Sequence, residues 1–232
     1  MERTLVVATG NPHKRAEIAA MLAPFHVVVT TARERGLGDV EETGATFEDN
    51  ALLKALAGFR GTGLPCLADD SGLLVDALDG APGVRSARFA GARTHGAADT
   101  GDDASDAANN ALLIARLVGV PRERRGAHFV STIALVLPDA LAAAVPEGPW
   151  RRIPHPADGA SAFTVEGTVA GRIIDAPRGR AGFGYDPHFL YEPAGKTFAE
   201  LEAREKHAVS HRGQAMARLA ALLHAVYGAA QR

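Results

Sequence analysis

The chain has 232 residues, enough for one sizeable domain with its own core. Of these, 47% are hydrophobic and 22% charged, and 25 Lys and Arg against 27 Asp and Glu leave a net charge of −2, which excludes the overall basic footprint of a nucleic-acid binder. Its single cysteine, Cys66, excludes an internal disulfide, and with no apolar run long enough for a leader or a membrane span the expectation is a cytoplasmic protein, engaged with neither membrane nor nucleic acid.

In chain order, residues 4–9, TLVVAT, read as a buried strand that ends in the turn Gly10-Asn11-Pro12. Ile18, Met21 and Leu22 then mark the inner face of a helix with Pro12 in its first turn. HVVVT at 26–30 is a second strand. Thr46, with Asp49 three residues on, has the form of a capping box, and the helix it opens is expected to turn Leu52, Leu53 and Leu56 inward. LPCLA at 64–68 is a third strand, and SGLLVDAL from 71 a neighbouring one. Between them stand Asp69 and Asp70. Successive strand residues face opposite sides, so both carboxylates cannot look into one site while the strand stays regular. Taken alone, the D-D-S-G string favours a turn; the alternative is a metal-binding carboxylate at the end of a buried strand.

An acidic, Ala-rich loop at 97–108 leads into a helix carrying Leu112, Leu113 and Leu117. HFVSTIALVL at 128–137 and FTVEGTVAGRII at 163–174 are strands. Between them, 138–160 reads as a Pro- and Gly-rich loop excursion holding the only tryptophan, Trp150. A last helix, Ser210 to Tyr227, buries Met216, Leu219, Leu223, Val226 and Tyr227. Strands alternating with helices, followed by a run of strands, indicate an α/β fold with a mixed central sheet flanked by helices.

Lysine and asparagine are scarce: Lys14, Lys54, Lys196 and Lys206, with Asn11, Asn50, Asn109 and Asn110, are the full set. Where arginine supplies ordinary surface charge, a compact and pKa-tunable ammonium has a reason to be lysine. His13, Lys14 and Arg15 stand in the first turn of a helix, where the dipole disfavours cations and free N–H groups suit an anion. Thr9 and Asn11 add neutral hydrogen-bonding groups. His211 and Arg212 repeat the anomaly behind a Ser210 cap, with Lys206 just upstream. Asn50 and Lys54 share a helix face, roughly opposite Leu52 and Leu56, so periodicity alone reads them as solvated. GRAGFGYDPHF at 179–189 is a Gly-rich loop that frames Phe183 and Tyr185, and an exposed Phe there suits a base. Phosphate-loop, dinucleotide, serine-nucleophile and zinc motifs are all missing from the sequence. Anion-ready helix starts, a stacking loop and strand-end carboxylates together describe a nucleoside polyphosphate with Mg²⁺.

The segments ATGNPHKRAEI, EETGATFEDNALLKA, LADDSGLLVDALDGAPGVRSARFAG, GFGYDPHF and EKHAVSHRGQA, in this order, resemble the inosine triphosphate pyrophosphatase family, which clears the noncanonical purine nucleotides ITP, dITP and XTP. They span nearly the whole chain. The resemblance implies one catalytic domain over 1–232, elongated and two-lobed with a nucleotide cleft between the lobes, a homodimer, and dependence on Mg²⁺. It assigns Thr9, Gly10, Asn11, Pro12, His13 and Lys14 to substrate binding, together with Ser71, Phe183, Gly184, Tyr185, Asp186, Lys206, His211 and Arg212. Glu41, first of EETG, and Asp70 fall to the metal. Asp70 is also the expected proton acceptor, with Asp69 supporting it, while Lys14 and Lys54 offset phosphate charge. A pyrophosphatase for other modified nucleotides and a non-catalytic nucleotide sensor are the alternatives. The length and proline content of 138–160 depart from the family pattern.

Overall fold

The computed structural model describes residues 3–91, 103–157 and 159–228. Its elements are β1 (Thr4–Val7), α1 (Pro12–Leu22), β2 (Val28–Thr31), α2 (Phe47–Thr62), β3 (Cys66–Val75), α3 (Asp103–Arg116), β4 (Gly126–Pro138), α4 (Asp139–Ala142), β5 (Arg151–Ala157), β6 (Ala160–Ile173), β7 (Phe189–Tyr191), β8 (Lys196–Thr197), α5 (Ala203–Val209) and α6 (His211–Tyr227). The strands follow the order β2-β1-β3-β4-β6-β7-β8, with β5 also on β6. β1 runs parallel to β2 and β3, whereas β6 pairs antiparallel with β5 and β7. The sheet is mixed, as the alternation of elements requires.

The chain divides into two compact units. The first comprises residues 1–70, 132–166 and 215–232, and the second residues 71–131 and 167–214. In the first, Leu5, Val7, Leu67, Ile133 and Phe163 form one sheet face, covered by Ile18 and Leu22 of α1 and by Leu219, Leu222 and Leu223 of α6. Val6, Cys66, Ala68, Ala134 and Ala162 form the other, covered by Ala51 and Ala55 of α2. A sheet face buried on each side explains the unbroken apolar run of β1. In the second unit, Leu73, Val75, Phe129, Phe189 and Phe198 pack with Leu113 of α3 and with Leu117 just beyond its end.

Local signals held where they were self-contained. Asn11 caps α1, its Oδ1 accepting from the N–H groups of His13 and Lys14, with Pro12 in the first turn. Thr46 and Asp49 close the expected capping box of α2, which ends on Gly63 at φ +65°. His26 adopts φ +51° after a 3₁₀ turn, so β2 begins at Val28 rather than at 26. α3 starts at Asp103, inside the expected 97–108 loop, the part of that loop before 103 lying outside the described residues.

Three expectations are corrected. Asp69 and Asp70 do not form a turn: β3 runs through them, joining two segments read as separate strands. The 138–160 stretch is not a plain loop, because it holds α4 and β5 and opens β6. β5 carries Pro154 and Pro156, and its register against β6 shifts between Ile153 and Ala157, which is where a strand tolerates proline. The inward face of α2 is Asn50, Ala51, Ala55 and Gly58, while Leu52 and Leu56 are half-buried and Leu53 is exposed. The helix lies so close to β3 that a Cβ on Gly58 would sit 2.3 Å from Cys66 Sγ. Only small residues fit such an approach, and the leucines are left at the margins.

Candidate active site

The first unit gathers charge at the Asp69-Asp70 step of β3. Alternation sends the two side chains to opposite faces. Asp69 shares the face of Leu67 that α1 covers, and its Oδ2 lies 3.1 Å from Lys14 Nζ. Asp70 shares the face of Cys66 and Ala68 beneath α2, and its Oδ1 accepts from Lys54 Nζ at 2.9 Å. Both carboxylates are buried. Two ammonium groups from two helices therefore overrule the turn propensity of the string, since a buried carboxylate without such partners costs several kcal/mol, on the order of 5.

Lys54 uses all three of its protons: besides Asp70 it donates to Glu42 Oε1 at 2.8 Å and to the Asp69 carbonyl at 2.9 Å. Asn50 is 1% exposed and joins this network from one turn earlier on α2. Its Oδ1 accepts from Gly44 N–H at 2.8 Å, which fixes the amide so that Nδ2 donates to Asp70 Oδ2 at 3.2 Å. The face that periodicity reads as solvated is thus the working face, and the scarcity of Lys and Asn was the better signal. Burial raises the Asp70 pKa above the ordinary aspartate value; Lys54 and Lys14 oppose the rise, and Glu42 adds to it. Burial works against the Lys54 ammonium, yet Asp70 and then Glu42 hold its pKa above the usual lysine value.

Glu42 was not singled out in the sequence; its neighbour Glu41 was, and Glu41 is exposed. Among the described residues no three His, Cys, Asp or Glu side chains converge as a ready-made metal cage. The donor set nevertheless suits a hard divalent cation, because Mg²⁺ takes one or two carboxylates and completes its shell with water and phosphate. Lys14 and Lys54 stand among three carboxylates, Asp69, Asp70 and Glu42, so much of their positive charge is already matched before any polyphosphate arrives.

The start of α1 is less open to an anion than its charge implies. The N–H groups of His13 and Lys14 are already taken by Asn11, whose own N–H donates to Thr9 Oγ1 at 3.2 Å. Gly10, Pro12 and His13 are exposed beside the buried Lys14. A cavity of about 540 Å³ also lies in this unit, between Glu48, Thr132, Trp150 and Thr164. None of the residues named from the sequence lines it, apart from Trp150 of the excursion.

The second unit holds an aromatic and cationic cluster. Phe183 is half-buried rather than exposed, with Lys206 Nζ 4.9 Å and Arg212 Cζ 5.9 Å from its ring centroid. Asp186 Oδ2 accepts from Lys206 Nζ at 2.7 Å and from Phe183 N–H at 2.9 Å. Arg212 is 1% exposed and donates to Ser71 Oγ at 2.9 Å, while the His211 ring stacks on Phe129 at 4.8 Å. Ser210 caps α6 as expected, its Oγ accepting from Gly213 N–H. A Cβ on Gly213 would meet the His207 carbonyl at 1.8 Å, so glycine is required where α5 turns into α6. Tyr185 is buried with its hydroxyl donating to the Ser86 carbonyl, and burial, then the charge of Asp106, raises its pKa. Its hydroxyl anchors the loop. Phe129 escaped the sequence reading, since nothing separates a strand phenylalanine that carries a histidine from one that fills a core.

A buried carboxylate–lysine cluster in one unit and a cation-flanked aromatic in the other are the kinds of group that a nucleotide with a polyphosphate tail calls for. The Ham1 family matches residues 5–222, and the chain belongs to it. The dITP/XTP pyrophosphatase of Ralstonia nicotianae is 46% identical over 217 residues, 94% of each chain. A HAM1 protein structure from Coxiella burnetii superposes with a TM-score of 0.76 at 36% identity, covering 96% of this chain and 98% of that one. The Mycobacterium abscessus nucleoside-triphosphatase / dITP/XTP pyrophosphatase is 45% identical, with a TM-score of 0.66 over 93% and 98%.

Proposed function

We propose that the chain hydrolyses noncanonical purine nucleoside triphosphates, ITP, dITP and XTP, to the nucleoside monophosphate and pyrophosphate. The observation that carries this reading is Asp70: a buried carboxylate of raised pKa, fastened by Lys54 and Asn50, in a chain of the Ham1 family whose relatives are dITP/XTP pyrophosphatases. Among the described residues each Asp70 oxygen accepts one hydrogen bond, which leaves a lone pair with which the carboxylate takes a proton from water as that water attacks the α-phosphorus. The raised pKa makes it a stronger base than an exposed aspartate while burial keeps its orientation fixed. Lys54 and Lys14 place positive charge where negative charge gathers on the leaving pyrophosphate.

Mg²⁺ completes the reading. Asp70 with Glu42 or Glu41 would hold it, and it would supply positive charge that the two lysines, already matched by carboxylates, do not leave over for polyphosphate. Base recognition is assigned to Phe183, with Lys206, His211 and Arg212 as the surrounding donors. Hypoxanthine and xanthine offer an acceptor oxygen at position 6, whereas adenine offers an amino donor that such a site leaves unpaired. A homodimer, which rests on the family resemblance, and a cytoplasmic location, which rests on the single cysteine and the lack of long apolar runs, belong to the same reading. Among the described residues no helix is long and apolar enough to cross a membrane.

The test is pyrophosphate and orthophosphate release from ITP, XTP, dITP, ATP and GTP, each with Mg²⁺ and with chelator. Pyrophosphate from the first three, lost on chelation and small from ATP, is the expected result, while GTP, which shares the position-6 oxygen, reports on recognition at position 2. Orthophosphate release, or equal turnover of ATP, contradicts it.

A further inference from the structure

The loop that carries Phe183 is held from a distance by α3. Asp106 and Asn110 lie four residues apart on that helix and so share a face. Asp106 Oδ2 accepts from Gly184 N–H at 2.6 Å, and Asn110 Nδ2 donates to the Gly184 carbonyl at 2.9 Å. One helix face thus grips both backbone polar groups of the residue that follows Phe183. The grip matters because of the loop's conformation: Gly182 and Gly184 sit at φ +77° and +62°, so Phe183 stands between two residues with no Cβ to brace it. Ordering glycine loses more chain freedom than ordering any other residue, so a loop of this kind needs partners outside itself. Asp186 holds the Phe183 N–H, and α3 holds the next peptide.

Asn110 keeps this bond against a local cost, because its Oδ1 is buried with no hydrogen-bond partner among the described residues. Turning the amide would set that oxygen against the Gly184 carbonyl. A buried acceptor left unsatisfied is the kind of expense native structures carry where geometry matters. We propose that Asp106 and Asn110 are positioning residues for base recognition: by fixing Gly184 they set the Phe183 ring, and they govern affinity for the base rather than the rate of hydrolysis. This rests on the reading that Phe183 stacks on the base of the nucleotide.

The experiment compares Asp106→Ala, Asp106→Asn and Asn110→Ala in steady-state hydrolysis of ITP and in inhibition by inorganic tripolyphosphate, which has no base. Both alanine variants are expected to raise the KM for ITP about tenfold, the loss of one well-placed hydrogen bond, with kcat within about twofold. Tripolyphosphate inhibition stays as in the wild type. Asp106→Asn restores KM, since its amide oxygen still accepts from Gly184. In a Phe183→Leu background, Asp106→Ala adds nothing further. An unchanged KM in both alanine variants overturns the proposal, and so does tripolyphosphate binding that weakens in step with ITP, which marks a general structural loss. Should Asp106→Ala not fold, Asn110→Ala decides by the same two criteria. A wild type that leaves ITP untouched refutes the proposed function, an outcome separate from failure of the clamp.

Discussion

Removing the Lys54 ammonium while keeping its stem, as in Lys54→Met, is expected to destabilise the protein and to do so in a pH-dependent way. Lys54 Nζ lies 2.9 Å from Asp70 Oδ1 and 2.8 Å from Glu42 Oε1. At an effective dielectric constant of about 20, each contact is worth about 6 kcal/mol of Coulomb attraction. Desolvating the three groups offsets much of this, and removing one partner of a buried pair leaves a net loss of about 3–5 kcal/mol. Against a total stability on the order of 10 kcal/mol, that is a large share, and for a chain of this length it lowers Tm by about 10 °C. The Asp70 pKa is already raised in the folded state, and loss of Lys54 raises it further. A group whose folded pKa exceeds its unfolded value favours the folded state below the unfolded pKa, and that contribution is lost as pH rises through the folded pKa. The deficit of the variant is therefore full at neutral pH and shrinks on acidification through the raised Asp70 pKa. Denaturant melts of wild type and variant at pH 7 and at mildly acidic pH measure it directly. A penalty below about 1 kcal/mol, or one of equal size at both pH values, refutes the reasoning.

Lys54→Arg should lose most activity although its charge remains, because a planar fork cannot send three donors to Glu42, the Asp69 carbonyl and Asp70 at once; wild-type turnover would show that a bare positive charge suffices. Asn50→Asp sets a second carboxylate against Asp70 Oδ2, so the acid limb of kcat/KM, expected above the ordinary aspartate value because burial raises the Asp70 pKa, should move further up in pH. An unmoved limb would mean that Asp70 is not the titrating base. Gly58→Ala forces a methyl against Cys66 Sγ and should destabilise by about 1–3 kcal/mol, with most of that recovered on a Cys66→Ala background. Equal losses on both backgrounds would contradict the close packing of α2 on β3. The Cys66 thiol, its pKa pushed up to about 12 by burial, should resist alkylation in the folded protein at neutral pH.

Much of the frame was legible because its causes are local. Asn11-Pro12 and Thr46 with Asp49 announce helix starts through bonds made within four residues, and the apolar run of β1 announces burial on both faces. Hydrophobic periodicity failed on α2 for a physical reason. It weights leucine, but a helix pressed against β3 buries alanine, glycine and a buried amide, and sends its leucines to the rim. The Asp69-Asp70 string failed as a turn because Lys14 and Lys54 arrive from helices that no local window contains. In the candidate site the rare residue types were the more reliable guide: Lys14 and Lys54 neutralise the β3 carboxylates, Lys206 meets Phe183 and Asp186, and Asn11, Asn50 and Asn110 each bind a specific backbone or carboxylate partner. Asn109 does the same, its Oδ1 accepting from Ala90 N–H. Choosing between Glu41 and Glu42 was beyond the sequence, since an irregular segment has no period to assign a side.

The most direct test is Asp70→Asn, followed through ITP binding and ITP turnover on the same preparation. The amide keeps the shape of the carboxylate and the bond from Lys54 but takes no proton from water. Turnover is expected to fall by at least about a thousandfold, in the range of a lost general base, with nucleotide affinity within about tenfold of the wild type. Turnover near the wild-type rate would contradict the central claim and send the search for the base elsewhere.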